Sequence, residues 1–322
     1  MFFIFQKIFI QNLMSFFKTI KTENIELIFP FFQYKDFKIF MKREDLIHPI
    51  ISGNKFRKLK YNIEKLKKNK NSTLITFGGA YSNHLLAVSY IAKIENIKTI
   101  AFIRGDELKD LPLNSTLQRC SDFGMEFKFL SREEYRLRND KKFLKNLELN
   151  YTNIFIVPEG GTNSLGVNGC EEILTKHDKI FFDVVCVPVG SGGTISGLIN
   201  SSLVNQKILG FSALRNSNII NVINKFVNKN NWKIFEDNMF GGYAKSNQNL
   251  IRFINKFYNE SNIKLDPIYN SKMLFKIFKM IEENNWNFGK KILIINTGGI
   301  QSVESFNLML KHKKCATINY SL

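Results

Sequence analysis

The sequence predicts an α/β protein built on parallel sheets with helices on both faces. Two observations predict it. Short apolar runs rich in β-branched and aromatic residues recur along the chain, and most lead through a Gly or Ser turn into a stretch of helical period. These runs are nearly continuous in apolar residues instead of alternating, as strands buried on both faces of a parallel sheet are.

In chain order the strands expected are Phe37 to Met41, Thr73 to Phe77, Lys98 to Ile103, Glu126 to Leu130, Ile154 to Val157, Val184 to Val189 and Lys291 to Ile295. The helices expected are Lys55 to Lys68, with Phe56, Leu59, Ile63 and Leu66 on one face, then Asn83 to Glu95, Leu113 to Phe123, Glu133 to Leu147 and Gly193 to Leu203. At 322 residues the chain exceeds the size at which single cores stop growing, roughly 250 residues, so two domains are expected. No internal repeat and no Pro- or Ser-rich linker marks the boundary. With six prolines the loops are short, and the two halves share a close interface.

The net charge of +18 raises the question of nucleic acid or an anionic membrane. The lysines are scattered, however, and the densest run, Lys65 to Lys70, sits at the polar end of one amphipathic helix, where it reads as a solvated face. No aromatic interleaving or nucleic-acid motif accompanies it, and joint enrichment in Ile, Asn, Phe and Lys points to compositional bias. Neither nucleic acid nor membrane is expected as a partner. Cys120, Cys170, Cys186 and Cys315 lack any metal-ligand spacing and read as reduced, mostly buried thiols. The apolar start Met1 to Phe5 is interrupted by Gln6, Lys7, Gln11 and Asn12, too soon for a membrane span, and reads as a surface helix or an extension upstream of Met14. A cytoplasmic protein is expected.

Three loops carry candidate chemistry. Gly190-Ser191-Gly192-Gly193-Thr194 follows the run Val184 to Val189 and opens a helix. Its N–H groups, the helix dipole and two hydroxyls suit a phosphate, although it has neither the Walker lysine nor dinucleotide spacing, and a tight strand-to-helix turn explains it as well. Gly78-Gly79-Ala80-Tyr81-Ser82-Asn83-His84 follows a strand likewise; Ser82 or Asn83 serves as a helix N-cap, or the same groups receive a carboxylate. Ser52-Gly53-Asn54-Lys55 opens the first helix, where Lys55 alone reads as a surface lysine.

Taken in order, Lys42-Arg43-Glu44-Asp45-Leu46, Ser52-Gly53-Asn54-Lys55, Gly78-Gly79 to Ser82-Asn83-His84, the glycine loop at 190–194, Leu265-Asp266-Pro267-Ile268-Tyr269 and Thr297-Gly298-Gly299 resemble one family. It is the 1-aminocyclopropane-1-carboxylate deaminase and D-cysteine desulfhydrase group of pyridoxal-phosphate enzymes, with the tryptophan-synthase-β-like fold, known as fold type II. The resemblance runs from about Met41 to Ser302. It implies a small domain, 59–169, inserted in a large cofactor-binding domain, 1–58 and 170–322, with pyridoxal 5'-phosphate between them, and a homodimer.

By this resemblance Lys55 carries the cofactor and moves protons, with Lys58 one turn on as the cation that lowers its pKa. Gly190, Ser191, Gly192, Gly193 and Thr194 hold the phosphate. Asn83 bonds the 3'-oxygen of the ring, and Ser82, with loop donors and His84, holds the carboxylate of a small amino acid. Tyr269 stacks on the ring, Tyr243 in Gly241-Gly242-Tyr243-Ala244-Lys245 lies on the substrate side, and Asn270, Thr297 and Gly298 complete the cofactor site. Deaminases of the family place a glutamate at the position of Asn270 and Leu at that of Thr297; desulfhydrases have Thr at both and His at Asn296. A neutral amide is no counter-ion for a pyridinium, so desulfhydrase-like β-elimination is favoured. The cyclopropane deaminase reaction and a catalytically inactive protein on the same scaffold are the alternatives.

Overall fold

The computed structural model describes residue 17 and residues 22–28, 36–68, 72–213, 218–236 and 239–320. The expected surface helix at the apolar start lies outside them. In chain order the elements are β1 (Asn24–Glu26), β2 (Lys38–Lys42), α1 (Asn54–Lys68), β3 (Thr73–Gly78), α2 (Asn83–Ile94), β4 (Thr99–Arg104), α3 (Ser115–Asp122), β5 (Met125–Leu130), α4 (Arg132–Arg136), α5 (Lys141–Asn150), β6 (Ile154–Val157), α6 (Ser164–Glu171), α7 (Lys176–Phe181), β7 (Val184–Val189), α8 (Gly193–Ser201), β8 (Lys207–Ser212), α9 (Ile219–Asn224), β9 (Trp232–Glu236), α10 (Gln248–Ser261), α11 (Asn270–Glu282), β10 (Lys291–Ile295) and α12 (Ser302–His312).

They form two sheets. One is four-stranded and all parallel, in the order β5-β4-β3-β6; the other is six-stranded, β1-β2-β10-β7-β8-β9, and parallel except for β1. The continuous apolar runs are explained by burial on both faces. In β7, Val184 and Cys186 pack into the core under α10 and α11, whereas Val185 and Val187 pack into the core under α8 and α9. The small sheet divides likewise: Leu74 faces Leu59 and Leu86, while Ile75 and Phe77 face Tyr135 and Leu147. Each such side chain contributes about 1.5–3 kcal/mol on burial.

All seven expected strands form, with ends moved by a residue at most. The expected single helix from Glu133 to Leu147 is broken: α4 ends at Arg136 and α5 restarts after Asp140, whose carboxylate accepts from the N–H groups of Lys142 and Phe143. Asn139-Asp140 favours a new cap over continuation. Strands β1, β8 and β9 and helices α6, α7 and α9 to α12 were not anticipated. Gly210 interrupts β8, and β9 alternates polar residues at a sheet edge. Cys120, Cys170 and Cys186 are buried and Cys315 half-buried, all four as free thiols. Of the lysine run, Lys65 and Lys68 are exposed and Lys67 pairs with Glu95.

Candidate active site

Loops from the carboxyl ends of β3, β6, β7 and β10 meet at the start of α1, which is where parallel sheets place ligand sites. Asn54 Nδ2 donates to Thr194 Oγ1 at 2.9 Å, joining α1 to the loop after β7. The loop after β6 joins the same point, with Thr162 Oγ1 at 2.6 Å from Ser191 Oγ. From β10, the N–H of Gly299 donates to Ser52 Oγ.

Lys55 is half-buried, and its amine donates to Asn54 Oδ1 at 3.1 Å. Desolvation, then the neighbouring Lys58 ammonium, push its pKa down to about 7. Lys58 is 2% exposed, and its ammonium donates to Gly160 O, Thr162 Oγ1 and, at 3.3 Å, Ser191 Oγ. Burial lowers Lys58 as well, to about 8. Two amines one helical turn apart thus share a desolvated corner in which neither holds its proton firmly.

The loop after β7 is built to receive an anion. Gly192 caps α8 in the left-handed region (φ 88°) with no side-chain cap, so the first N–H groups of α8 have no partner in the helix. A Cβ at Gly193 would sit 3.0 Å from Lys58 Nζ and 2.9 Å from Thr162 Oγ1. One at Gly190 would sit 3.3 Å from the Tyr269 ring. Only glycine leaves this hollow open between an ammonium and an aromatic face.

Tyr269 and Tyr243 lie edge to face, with ring centroids 6.1 Å apart. Desolvation lifts both phenols. Their shared hydrogen bond pulls Tyr243 back and pushes Tyr269 further up, so Tyr243, 46% exposed, is the readier proton donor of the two. Asp266 is 1% exposed and accepts from Ile268 N, Tyr269 N, Asn270 N and Asn270 Nδ2, at 2.7–2.9 Å for the backbone groups and 2.6 Å for the amide. Asn270 Nδ2 also donates to Gly298 O at 2.9 Å, and its Oδ1 accepts from Thr297 N at 3.0 Å and Thr297 Oγ1 at 3.4 Å.

Ser82 is the N-cap of α2, accepting from Leu85 N, which leaves its hydroxyl proton to donate elsewhere. Asn83 Nδ2 lies 2.9 Å from where a Cβ at Gly299 would be, which sets it against the β10 loop. His84 departs from expectation. It is 2% exposed, with Nε2 at 2.8 Å from Thr76 Oγ1, and Thr76 in turn donates to Val157 O. Thr76 therefore accepts the Nε2 proton, burial keeps the ring neutral, and Nδ1 is a bare acceptor. With no proton left to donate, His84 is withdrawn as a carboxylate ligand.

The expected residues thus gather in one place, and they fit a phosphorylated aldehyde: an anion hollow, an aromatic face and a weakly basic amine. Lys58 stands beside Lys55 as expected and reaches the phosphate loop as well, while Asp266 and the loop Glu159-Gly160-Gly161-Thr162 join them without having been assigned to the site. The pair Gly160-Gly161 after strand β6 repeats the Gly78-Gly79 pattern after β3 and was the available signal.

The model of the family described as pyridoxal-phosphate dependent enzyme matches residues 25–298. A Thermotoga maritima protein named putative 1-aminocyclopropane-1-carboxylate deaminase is 32% identical over 286 residues, covering 82% of this chain and 89% of that one. The Arabidopsis thaliana mitochondrial protein named bifunctional D-cysteine desulfhydrase/1-aminocyclopropane-1-carboxylate deaminase is 28% identical, covering 82% and 72%. A crystal structure described as an ACC deaminase homologue superposes with a TM-score of 0.77 at 24% identity, over 93% of this chain and 98% of that one. The fold is fold type II of the pyridoxal-phosphate enzymes, and pyridoxal 5'-phosphate is the cofactor. This chain belongs to the pyridoxal-phosphate dependent enzymes, within the group that holds the 1-aminocyclopropane-1-carboxylate deaminases and D-cysteine desulfhydrases.

Proposed function

We propose that the protein is a D-cysteine desulfhydrase-like lyase that, with water, converts a small β-substituted amino acid to pyruvate, ammonia and the free β-substituent, hydrogen sulfide in the case of D-cysteine. The observation that carries this reading is the amide of Asn270 beside Thr297, where no free carboxylate stands; Asp266, the nearest acid, has its oxygens taken up by four donors. Bound pyridoxal phosphate supplies an electron-withdrawing ring, and without a carboxylate partner its nitrogen stays unprotonated, which suffices for loss of a good leaving group.

The chain's own residues have separable tasks. Gly190 to Thr194 and Lys58 bind the phosphate, Asn83 orients the ring oxygen, and Tyr269 covers one ring face. Ser82 and its loop N–H groups hold the substrate carboxylate. Lys55, with its pKa near 7, is poised both to bind the aldehyde and to take the Cα proton at Nζ. Tyr243 stands beside Tyr269 on the exposed side, placed to hand a proton to the departing group.

The relatives' names support a second reading, opening of the cyclopropane ring to give 2-oxobutyrate and ammonia. Purified protein loaded with pyridoxal phosphate is to be assayed with D-cysteine, L-cysteine, β-substituted D-serines and the cyclopropane amino acid. Sulfide and pyruvate from D-cysteine are expected. Release of 2-oxobutyrate from the cyclopropane substrate without sulfide from D-cysteine reverses the ranking.

A further inference from the structure

We infer that Lys272 is a positioning residue for Tyr243: its buried ammonium grips the carbonyl of Gly242 and so holds the turn Gly241-Gly242-Tyr243-Ala244-Lys245 against α11. This goes deeper into the proposed function and rests on it for the task of Tyr243. The turn is poorly made to keep its own shape. Gly241, Gly242 and Ala244 have φ of 83°, 105° and 54°, in the left-handed region that a Cβ, as at Ala244, disfavours. A backbone bond within the turn, from Lys245 N to Gly242 O, is 3.3 Å long. Tyr243 itself is 46% exposed, so packing does little to fix it. From α11, Lys272 Nζ donates to the same carbonyl at 2.7 Å. Lys272 is 6% exposed, and its ammonium lies 5.5 Å from the ring centroid of Phe240, the residue that leads into the turn. An ammonium buried so deep is costly unless it is hydrogen-bonded, and methionine fills such a space at less cost, so what lysine adds is the grip. Because the peptide unit is planar, fixing the Gly242 carbonyl fixes the direction in which the chain enters Tyr243. Tyr269 is the N-cap residue of α11, about one turn before Lys272, so a single helix sets both tyrosine rings relative to each other.

The grip matters where the leaving group needs a proton. In net terms Lys55 Nζ takes the Cα proton, the pair of that C–H bond becomes the Cα–Cβ double bond, the pair of the Cβ–S bond leaves on sulfur, and the Tyr243 proton closes the S–H bond; water then reprotonates the phenolate. Chloride departs without a proton. In cofactor-free Lys272→Met, the amides of 243–245 are expected to exchange with deuterium roughly tenfold or more faster than in wild type, while those of β3 and β4 keep the wild-type rate. With pyridoxal phosphate bound, Lys272→Met is expected to lower kcat for D-cysteine roughly tenfold or more at little change in KM, and to leave kcat for β-chloro-D-alanine near wild type. Tyr243→Phe is expected to show the same split, and the double variant to lose no more than Tyr243→Phe alone. Lys272→Gln, which keeps an N–H donor on a shorter side chain, is expected between wild type and Lys272→Met on both measurements, and it carries the test if Lys272→Met does not fold. Wild-type exchange in the turn, equal losses with both substrates, or losses that multiply in the double variant overturn the inference. A wild-type protein that releases no sulfide from D-cysteine removes the proposed function instead, while the exchange rates still judge Lys272.

Discussion

At the scale of single residues, a site that must keep an amine unprotonated at neutral pH carries a cost in stability. Lys55 is pushed down to about 7 by burial and by Lys58, whereas in the unfolded chain it titrates near its ordinary value, about 10.4. Between these two values the unfolded chain binds the proton and the folded one does not, so the stability of the cofactor-free protein rises with pH across that window. Below pH 7 the folded protein carries a desolvated charge and bears the full penalty. Lys55→Met removes it. The cofactor-free variant is therefore expected to melt above wild type at pH 6 to 7, with the gain fading as pH approaches 10, while visible absorbance with pyridoxal phosphate is lost. Melts of both proteins from pH 6 to 10 check this, and a constant difference across that range contradicts the assignment.

At the scale of elements, the hollow at the start of α8 depends on what is missing from Gly193. Gly193→Ala puts a methyl group about where Lys58 Nζ and Thr162 Oγ1 now leave room, without requiring an unusual backbone angle. Folding is expected to be little changed, and the equilibrium constant for cofactor dissociation to rise roughly tenfold or more, equal to about 1.4 kcal/mol. Dialysis against defined pyridoxal phosphate, followed by absorbance, measures it.

Elements of this kind were readable because βα units announce themselves: an apolar run, then glycines, then a helical period, as in Val184 to Thr194. The second half of the large sheet was less readable, since β8 carries Gly210 inside it and β9 has no continuous apolar run. Helix α10, with Leu250, Ile251, Ile254 and Phe257 on one face, had a legible period that went unassigned. In the site, the glycine and hydroxyl loops were legible as candidate ligand loops from residue type and position, whereas Lys55 alone read as a surface lysine and stood out only through the family resemblance. The direction of a polar side chain was not legible: the turn of His84 toward Thr76 and the closed knot around Asn270 depend on neighbours 4 to 28 residues away.

At the scale of the whole molecule, the large sheet is assembled from distant parts of the chain, because β2 pairs with β10, whose other neighbour is β7. A buried ion pair pins that assembly. Lys42 on β2 donates to Asp178 on α7 at 2.8 Å, both 1% exposed, and Asn24 and the cap of α7 bond the same carboxylate. Lys42→Met leaves Asp178 buried without its counter-charge and is expected to cost about 3–5 kcal/mol. Adding Asp178→Asn removes the stranded charge and is expected to recover part of that loss. The proposed division of the chain, 1–58 with 170–322 against 59–169, makes the effect local. β3 to β6 pack into cores distinct from those of the large sheet, around Leu74 on one face, where Ile47, Ile51 and Phe56 of segment 1–58 join, and around Phe77 on the other. Native-state hydrogen exchange of Lys42→Met is therefore expected to speed exchange in β2, β7 and β10 while sparing the amides of β3 and β4. Equal acceleration in both sheets would mean that the chain opens as one cooperative body and that the proposed division is wrong.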